Sequence, residues 1–509
     1  MSEHSQGRAS ARLPSSTKQQ PFGETWGLLR VLAHLLVALA FSVALHLTAS
    51  LRLDATTSEA WAQLLAEGGG VPAQPGLLFL WLLSVLEKSQ DAGIQVFRLP
   101  SLVFFCLIVL TVAMAAFFSA GRTAAIRGVW LGCAIPLLHL SGLLSNPFVI
   151  VGLCFSIAAL MLVIMARQQR HPGELGAGAL LTIIPSGLIG LIGLLSVLAS
   201  FHGWLLTLSS VLAVLIVSTA RPLWERVGMA AVIIAVPLLG CLAICMWQGD
   251  WRLFWPPAFV SPSLEAGHFE LASRVRLPLL LPLLLLGIGP AILWVSLRWA
   301  SWAARPSKAP PRRLAKALLA HGGVPLLVLL FLSLFRPMDP LAFTTVLPPV
   351  IVGLSSWKGA GAWIQPIRAT SVLLIGVLAL VLTGVLSVAP PKRDPVARLS
   401  GWEDAGKSIE VWCSTVPEDE GARLLAEPWL AAHLRLVARL CEPIGLVDGP
   451  QGSWRSSLSV DGLVLVVHVA DEDPPVVSGC KMGPHGAPVG PDHLSLVLRP
   501  ARCEETSKQ

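Results

Sequence analysis

The sequence predicts an α-helical polytopic membrane protein of about 11 transmembrane helices, followed by a small C-terminal α/β domain. Hydrophobic residues make up 54% of the 509-residue chain and charged residues only 13%, against about 25% charged in soluble domains. The few charges are also unevenly placed, because 17 of the 30 acidic residues follow position 389. The first three quarters of the chain therefore cannot form a water-soluble globule, whereas the last quarter can.

Three domains follow from this division. Residues 1–28 are rich in Ser, Gln, Arg and Lys without an apolar signal segment, which predicts a disordered cytoplasmic tail. Residues 29–388 form the transmembrane domain, interrupted by a polar loop at 50–100. Residues 389–509 are predicted to be a soluble periplasmic α/β domain.

Eleven apolar segments suit spans of a hydrocarbon core about 30 Å thick. They cover residues 31–49, 101–118, 128–144, 147–166, 178–199, 203–220, 228–247, 277–297, 318–335, 341–356 and 370–388. The short gaps at 144–147 and 199–203 leave open a re-entrant or merged pair in either place.

The distribution of Lys and Arg predicts the orientation. The N-terminal tail and alternate loops carry 18 of them, and the opposite loops carry seven. By the positive-inside rule the N-terminus is cytoplasmic, and an odd number of spans places the chain after residue 389 in the periplasm.

The loop at residues 50–100 holds five of the 13 acidic residues that precede position 390. Its segments SEAWAQLLA and GLLFLWLLSVLEK have apolar residues at helical spacing, so both are predicted to be helices near the membrane surface. Asp54 and Glu59 are candidate functional carboxylates here. The alternative is that both are solvated loop carboxylates, with Ser58 capping the first helix.

Five arginines on the same side are candidates for binding an anion: Arg98, Arg252, Arg274, Arg276 and Arg336. Three lie in segment 248–276, which also contains Trp251 and Trp255. An interfacial anchor for this segment, and snorkelling to lipid phosphates for Arg98 and Arg336, are the alternatives.

No Asp, Glu, Lys or Arg falls inside the predicted spans, which argues against an ion-coupled transporter. His34, His46 and His139 do fall inside them. We expect neutral rings packed between helices and hydrogen-bonded to backbone carbonyls, with a proton relay as the alternative.

In the C-terminal domain, IEVWCST, GLVLVVHVAD and HLSLVLRP are predicted strands, and residues 421–440 a helix. We expect at least one disulfide among Cys413, Cys441 and Cys480. Cys503 lies near the chain end, and three pairings of the four cysteines are possible. Their spacing lacks a CxxC pattern, so a metal site is not predicted.

Several short motifs resemble those of the protein mannosyltransferase superfamily, whose bacterial members include aminoarabinose and lipopolysaccharide-core sugar transferases. The similar segments are QPGLLFLWLL, VFRLPSL, SLFRPMDPLAFTTVLPPV and ARLSGWEDAGKSIEV. The resemblance implies the GT-C fold and an inverting transfer of sugar from a polyprenyl-phosphate carrier at the periplasmic face. Such chemistry needs a carboxylate base, a role that the resemblance implies for Glu59 or Asp54, and cationic groups on the departing phosphate.

The sequence departs from that family at four motif positions. Ser58 stands where the usual catalytic Asp would be, while Glu59 matches the second acid. Gln74 replaces the His of a His-Pro-Pro motif, Asn146 lies where an acidic residue is usual, and Phe201 replaces a Lys.

The resulting interpretation is a membrane glycosyltransferase of the bacterial inner membrane with a periplasmic lipid, glycan or protein acceptor. A catalytically inactive relative that binds a polyprenyl lipid or acts as a scaffold is the alternative, and a transporter is third. The expected partners are membrane lipid, the lipid-linked donor and an unknown acceptor, with no nucleic acid. No cofactor is expected, and dependence on a divalent metal stays open.

Overall fold

A computed structural model describes most of the helical part of the chain and much of its C-terminal part. The described residues are 22–50, 95–143, 146–169, 180–200, 202–248, 277–306, 309–335, 340–382, 402–414, 423–426, 441–448, 454–456, 462–469, 480–484, 488–489 and 496–503, with single positions 78, 82, 430, 434 and 477. Four of these single positions are helical: Leu78, Leu82, Leu430 and Leu434. Leu78 and Leu82 belong to the predicted second helix of the loop at 50–100.

Each of the 11 predicted apolar segments contains helix. The α-helices are α1 Phe22–Ser50, α2 Gln95–Ala120, α3 Arg122–Cys133, α4 Pro136–Leu143, α5 Phe148–Gln168, α6 Leu180–Ala199, α7 Gly203–Val217, α8 Leu223–Gln248, α9 Leu277–Ile288, α10 Pro290–Ala304, α11 Pro310–Phe335, α12 Leu347–Ser356 and α13 Ile364–Leu382. Two 3-10 helices, Pro340–Val346 and Lys358–Trp363, flank α12.

Two predicted spans are broken into pairs of helices. The axes of α3 and α4 differ by 65°. Between α9 and α10, Gly289 has φ +95° and Pro290 begins the next helix, a backbone conformation that glycine tolerates and most residues do not.

Five helices are each long and apolar enough to cross a membrane, and the bent α3–α4 pair would be a sixth span, among the described residues. The other apolar helices are shorter. The chain is thus a multi-pass membrane protein, and its total of 11 spans stays a prediction.

Helix α5 lies at the centre of the helical part. It packs against α2, α6, α7, α11 and the 3-10 helix Pro340–Val346, and Phe155 is fully buried.

The outer surface of the helical part carries apolar side chains that a soluble protein would bury. Examples are Trp224 and Trp247, which are 72% and 84% exposed. This distribution fits a lipid-facing surface.

Contacts between helix ends define two ends of the helical part. At one, which we call the basic end, Arg127 Nη1 lies 3.4 Å from the Trp357 carbonyl oxygen and Arg298 stacks on Trp363. At the other, which we call the polar end, His46 contacts His139. Phe148 contacts His202 there as well. The helix termini next to the Lys- and Arg-rich segments lie at the basic end, and the termini next to the other segments lie at the polar end. This matches the alternation predicted from the sequence.

The C-terminal part contains one helix, α14 Trp402–Cys413, and seven described strands. They are β1 Arg423–Ala426, β2 Glu442–Asp448, β3 Trp454–Ser456, β4 Gly462–Val469, β5 Cys480–Met482, β6 Pro488–Val489 and β7 Leu496–Cys503. The sheet order is β3-β2-β1-β4-β7-β5, with β6 also pairing with β7. Strands β2, β1 and β4 are parallel, and the outer pairings are antiparallel.

Two sequence predictions for this part were wrong. IEVWCST is not a strand, because Ile409–Cys413 completes α14, in which Trp402, Ala405, Ile409 and Cys413 are buried along one face. Residues 421–440 are not one helix, because Arg423–Ala426 is the central strand β1, whereas the described positions Leu430 and Leu434 later in the segment are helical as predicted. A strand buried on both faces has a continuous apolar run, here Leu424, Leu425 and Ala426. The strands predicted in GLVLVVHVAD and HLSLVLRP are confirmed as β4 and β7.

Two disulfides connect the C-terminal elements. Cys413 at the end of α14 pairs with Cys441 just before β2, with Cα atoms 5.8 Å apart. Cys480 in β5 pairs with Cys503, its neighbour in β7. The predicted disulfide among the first three cysteines is confirmed, and Cys503 is held within the sheet.

Candidate functional site

Six of the seven predicted site residues lie outside the described residues. They are the two candidate bases, Asp54 and Glu59, and four arginines, Arg252, Arg274, Arg276 and Arg336. Arg98 belongs to the first turn of α2, but its side chain is not among those described. Ser58, Gln74 and Phe201, three of the altered motif positions, are outside the described residues too.

The helix ends that bound these segments all belong to the polar end. Helix α1 ends at Ser50 before the acidic loop, and α2 begins at Gln95 after it. Segment 249–276 joins α8 to α9, and Arg336 follows the end of α11. The helix ends on either side of the predicted base and the predicted arginines therefore lie at one end of the helical part.

Two histidines, His46 and His139, pack against each other at the polar end. His46 Nδ1 lies 2.6 Å from the Ser42 carbonyl oxygen, and its Nε2 lies 3.0 Å from the carbonyl oxygen of His139. His139 Nε2 lies 2.9 Å from the Cys133 carbonyl oxygen. The expected packing of these two rings against backbone carbonyls is confirmed. They are nevertheless neighbours, with ring centroids 5.6 Å apart, and both touch Phe105.

His34 differs from the other two histidines, because its Nδ1 accepts a hydrogen bond from the Trp130 indole N–H at 3.3 Å. Its ring therefore meets a side chain rather than a backbone carbonyl.

Asn146 connects α4 to α5 at the polar end. Its amide Nδ2 donates to the Ser141 carbonyl oxygen at 2.8 Å, and its Oδ1 accepts from the Val149 backbone N–H at 3.2 Å. Only 4% of the residue is exposed. The side chain thus satisfies one N–H at the start of α5 and one carbonyl near the end of α4, as a capping residue does.

Ser200 and His202 lie between α6 and α7, beside the α4–α5 junction. Ser200 Oγ and His202 Nδ1 are 3.0 Å apart, and the imidazole meets Phe148 edge-on at 5.1 Å between centroids. Burial lowers the pKa of His202 to about 4, so the ring is neutral at pH 7 and its Nδ1 can accept the Ser200 O–H. Two of the altered motif regions, around Asn146 and around Phe201, are therefore neighbours in space.

The two threonines of the 3-10 helix Pro340–Val346 complete this end. Thr344 Oγ1 lies 3.4 Å from Ser141 Oγ, which places this 3-10 helix beside α4. Sequence reasoning missed Ser141, Thr344 and Phe148. Ser141 and Thr344 are 203 positions apart, and no local pattern signals such a contact.

The described part of the polar end is thus neutral, with hydroxyl, amide and imidazole groups. In it, Arg98 is the one residue of charged type, and its side chain is not described. No group of three His, Cys, Asp or Glu side chains within the described ranges could hold a metal ion. Apart from Arg98, a charged group for acid–base work or phosphate binding would have to come from the segments that join these helices.

The comparison with solved structures identifies the fold. ArnT from Cupriavidus metallidurans, an aminoarabinose transferase solved with undecaprenyl phosphate, aligns over 91% of this chain and 97% of its own, with TM-score 0.56 and 14% identity. The Archaeoglobus fulgidus oligosaccharyltransferase aligns over 81% of this chain and 62% of its own, with TM-score 0.51 and 15% identity. This chain has the GT-C fold.

The GT-C fold was predicted from the motif resemblance and is confirmed. The apo structure of ArnT from the same organism aligns equally well, with TM-score 0.56 over 94% of this chain and 98% of its own. No protein-family model matches the sequence, and the comparison with curated proteins gives no match either. The similarity is therefore one of three-dimensional arrangement, at identities where only the fold can be inferred.

Proposed function

We propose that this GT-C chain is a membrane glycosyltransferase that takes a sugar from a polyprenyl-phosphate carrier and transfers it to a lipid, glycan or protein acceptor. The observation that carries the proposal is that the helix ends bounding the candidate segments all lie at one end of a GT-C fold. The segments with Glu59, Asp54 and the four arginines all begin and end at the polar end. ArnT, which shares this fold, is solved with undecaprenyl phosphate.

In the proposed reaction, Glu59 takes the proton from the acceptor as the acceptor oxygen attacks the anomeric carbon. The bond from that carbon to the carrier phosphate breaks with inversion. Arginines from segments 249–276 and 336–339 and Arg98 stabilise the charge that develops on the phosphate. Asp54 is the second candidate base. No residue in this scheme requires a metal or another cofactor.

The proposal includes a location in a bacterial inner membrane, with the polar end and the C-terminal part in the periplasm. Two observations support this orientation. The basic end carries most of the Lys and Arg of the helical part, and the C-terminal part holds two disulfides, which persist in oxidising compartments.

One observation favours a second candidate function, an inactive GT-C protein that binds a polyprenyl lipid. Asn146, at a position where the resembled family has an acid, makes hydrogen bonds that a neutral capping residue makes. An amide cannot act as a general acid or base, so a chain with Asn146 at this position has one fewer group that could take part in catalysis.

A transfer assay separates the two functions. The full chain, reconstituted in vesicles with a polyprenyl-phosphate sugar and envelope extract as acceptor source, should release polyprenyl phosphate. Glu59→Gln keeps the size and hydrogen-bonding reach of the side chain but removes the proton acceptor. We expect it to lower the rate by about 10² to 10⁴ while carrier binding persists.

Glu67→Gln is the matched control, because it changes an acid of the same loop that has no proposed role. It should transfer at the wild-type rate. Carrier binding without release by the wild-type chain would establish the inactive function. Wild-type rates in both Glu59→Gln and Asp54→Asn would show that neither of these carboxylates is the general base.

A further inference from the structure

The basic end carries a surface that the proposed reaction does not use. We call it the arginine–tryptophan face, and it consists of Arg127, Arg298, Trp302, Arg312, Trp357 and Trp363. Its residues come from α3, α10, α11 and the region of the 3-10 helix Lys358–Trp363. These elements are joined by contacts within the face, since the Trp302 and Trp357 rings lie 6.1 Å apart and Arg127 Nη1 reaches the Trp357 carbonyl.

The guanidinium groups of this face lie against indole rings. Arg298 Cζ is 5.2 Å from the centroid of Trp294 and 5.5 Å from that of Trp363. Arg312 Cζ is 5.5 Å from the centroid of Trp302. A guanidinium that stacks on an aromatic ring keeps the N–H groups in its plane for an anion, and two of them match two phosphate oxygens.

The sequence supplies almost no carboxylate for these arginines. Between residues 277 and 382 the single acidic residue is Asp339, which belongs to the segment between α11 and the 3-10 helix at the polar end. Glu225, the acid of α8 at the basic end, pairs with Arg221 at 3.1 Å. The other acids that the sequence pattern assigns to this side are Glu3, Glu24 and Glu174, and none of their side chains is among those described.

One guanidinium atom of the face lacks a partner within the described structure. Arg127 Nε is buried without a hydrogen bond, and Nη1 of the same group makes only the long 3.4 Å contact. An additional Cβ at Gly361 would lie 3.3 Å from Arg127 Nη2, so glycine keeps the approach to this arginine open.

We propose that the arginine–tryptophan face binds the phosphodiester headgroup of an anionic phospholipid in the leaflet at the basic end. Trp side chains position themselves at the boundary between headgroups and acyl chains, and arginines near an anionic leaflet attract its phosphates. Arg298 is exposed on the same side of α10 as Trp294, which is 50% exposed. The inference is independent of the proposed glycosyl transfer.

The test is native mass spectrometry of the full chain in detergent, titrated with dioleoyl phosphatidylglycerol or with dioleoyl phosphatidylcholine. We expect wild-type protein to retain phosphatidylglycerol in preference to phosphatidylcholine. The double variant Arg298→Gln/Arg312→Gln should bind phosphatidylglycerol about 25-fold more weakly, at about fivefold for each arginine.

The control double variant is Arg221→Gln/Arg226→Gln, which removes the same charge at the same end. Arg221 is paired with Glu225 and Arg226 donates to the Leu215 carbonyl at 2.9 Å, so this variant should bind phosphatidylglycerol within about twofold of wild type. If the glutamine variant of the face does not fold, Arg298→Lys/Arg312→Lys serves instead. It keeps the charge but loses the planar donors, and should bind about threefold more weakly.

Three results would overturn the proposal. The first is unchanged binding by the arginine variants of the face, and the second is an equal loss in the control variant. The third is displacement of the lipid by glycerol phosphate at equal concentration, which would mean that the face binds any free phosphate rather than a membrane lipid.

Discussion

At the scale of single residues, Asn146 decides what the α4–α5 junction can do. Its amide N–H donates to the Ser141 carbonyl, and its amide oxygen accepts from the Val149 backbone N–H. A carboxylate has no donor, so an acid at this position would leave the Ser141 carbonyl facing a negative charge in a buried place. Asn146 is therefore a structural residue, and sequence comparison alone could not distinguish that from a lost catalytic acid.

We predict that Asn146→Asp lowers the thermal stability of the detergent-solubilised protein and does not raise sugar transfer. The lost hydrogen bond and buried charge together should cost at least about 2 kcal/mol. Asn146→Ser keeps an oxygen for the Val149 N–H and should cost less. Both are measured by thermal unfolding followed by size-exclusion chromatography, with transfer assayed in parallel. An active and fully stable Asn146→Asp protein would contradict the capping role.

At the scale of elements, close helix packing depends on glycine where two backbones meet. Gly203 begins α7 directly beside the end of α6, and a Cβ there would lie 2.2 Å from the Ser196 carbonyl carbon and 2.3 Å from the Val197 nitrogen. The backbone atoms cannot move away without separating the two helices. The Ser200–His202 contact of the polar end depends on this tight connection.

Gly203→Ala should therefore destabilise the protein strongly, with a fall in melting temperature and weaker Ser200–His202 packing against Phe148. Gly187→Ala is the matched control in the preceding helix, where an added Cβ meets no atom within 4 Å. Since Ala is a better helix former than Gly by about 1 kcal/mol, the control should be neutral or slightly stabilising. Equal melting temperatures for the two variants would show that the α6–α7 connection is looser than described.

Elements were predictable from the sequence to different degrees. The apolar segments were found because a membrane helix needs a long apolar run, and each contains helix. The breaks at Gly289 and between α3 and α4 were not foreseen, since both halves of each pair remain apolar. In the C-terminal part, the Ile, Val and Trp of α14 have strand-like preferences, and only the burial of Trp402, Ala405 and Ile409 along one face revealed the helix.

At the scale of the whole molecule, the fold could be predicted from short motifs and layout, whereas the described part of the site could not. The contacts of Phe148 with His202 and of Ser141 with Thr344 join positions far apart in the chain. The candidate base and arginines stay predictions, although the helix ends that bound their segments lie at one end.

The orientation of the molecule gives a prediction at the same scale. A reporter that is active only in the cytoplasm should be inactive when fused after Ala389, and a periplasmic reporter should be active there, because 18 Lys and Arg lie in the tail and alternate loops against seven in the others. A fusion within the N-terminal tail is the control with the opposite result. An active cytoplasmic reporter at Ala389 would reverse the assigned sides.

The central claim is that the polyprenyl-phosphate carrier is bound at the polar end. The most direct measurement is photo-crosslinking of the full chain with a polyprenyl phosphate that carries a diazirine close to the phosphate, followed by peptide mapping. We predict labelled peptides from residues 51–94, 249–276 or 336–339, with competition by unlabelled polyprenyl phosphate. Labelling confined to the arginine–tryptophan face at the basic end, or labelling that unlabelled carrier does not reduce, would contradict the claim.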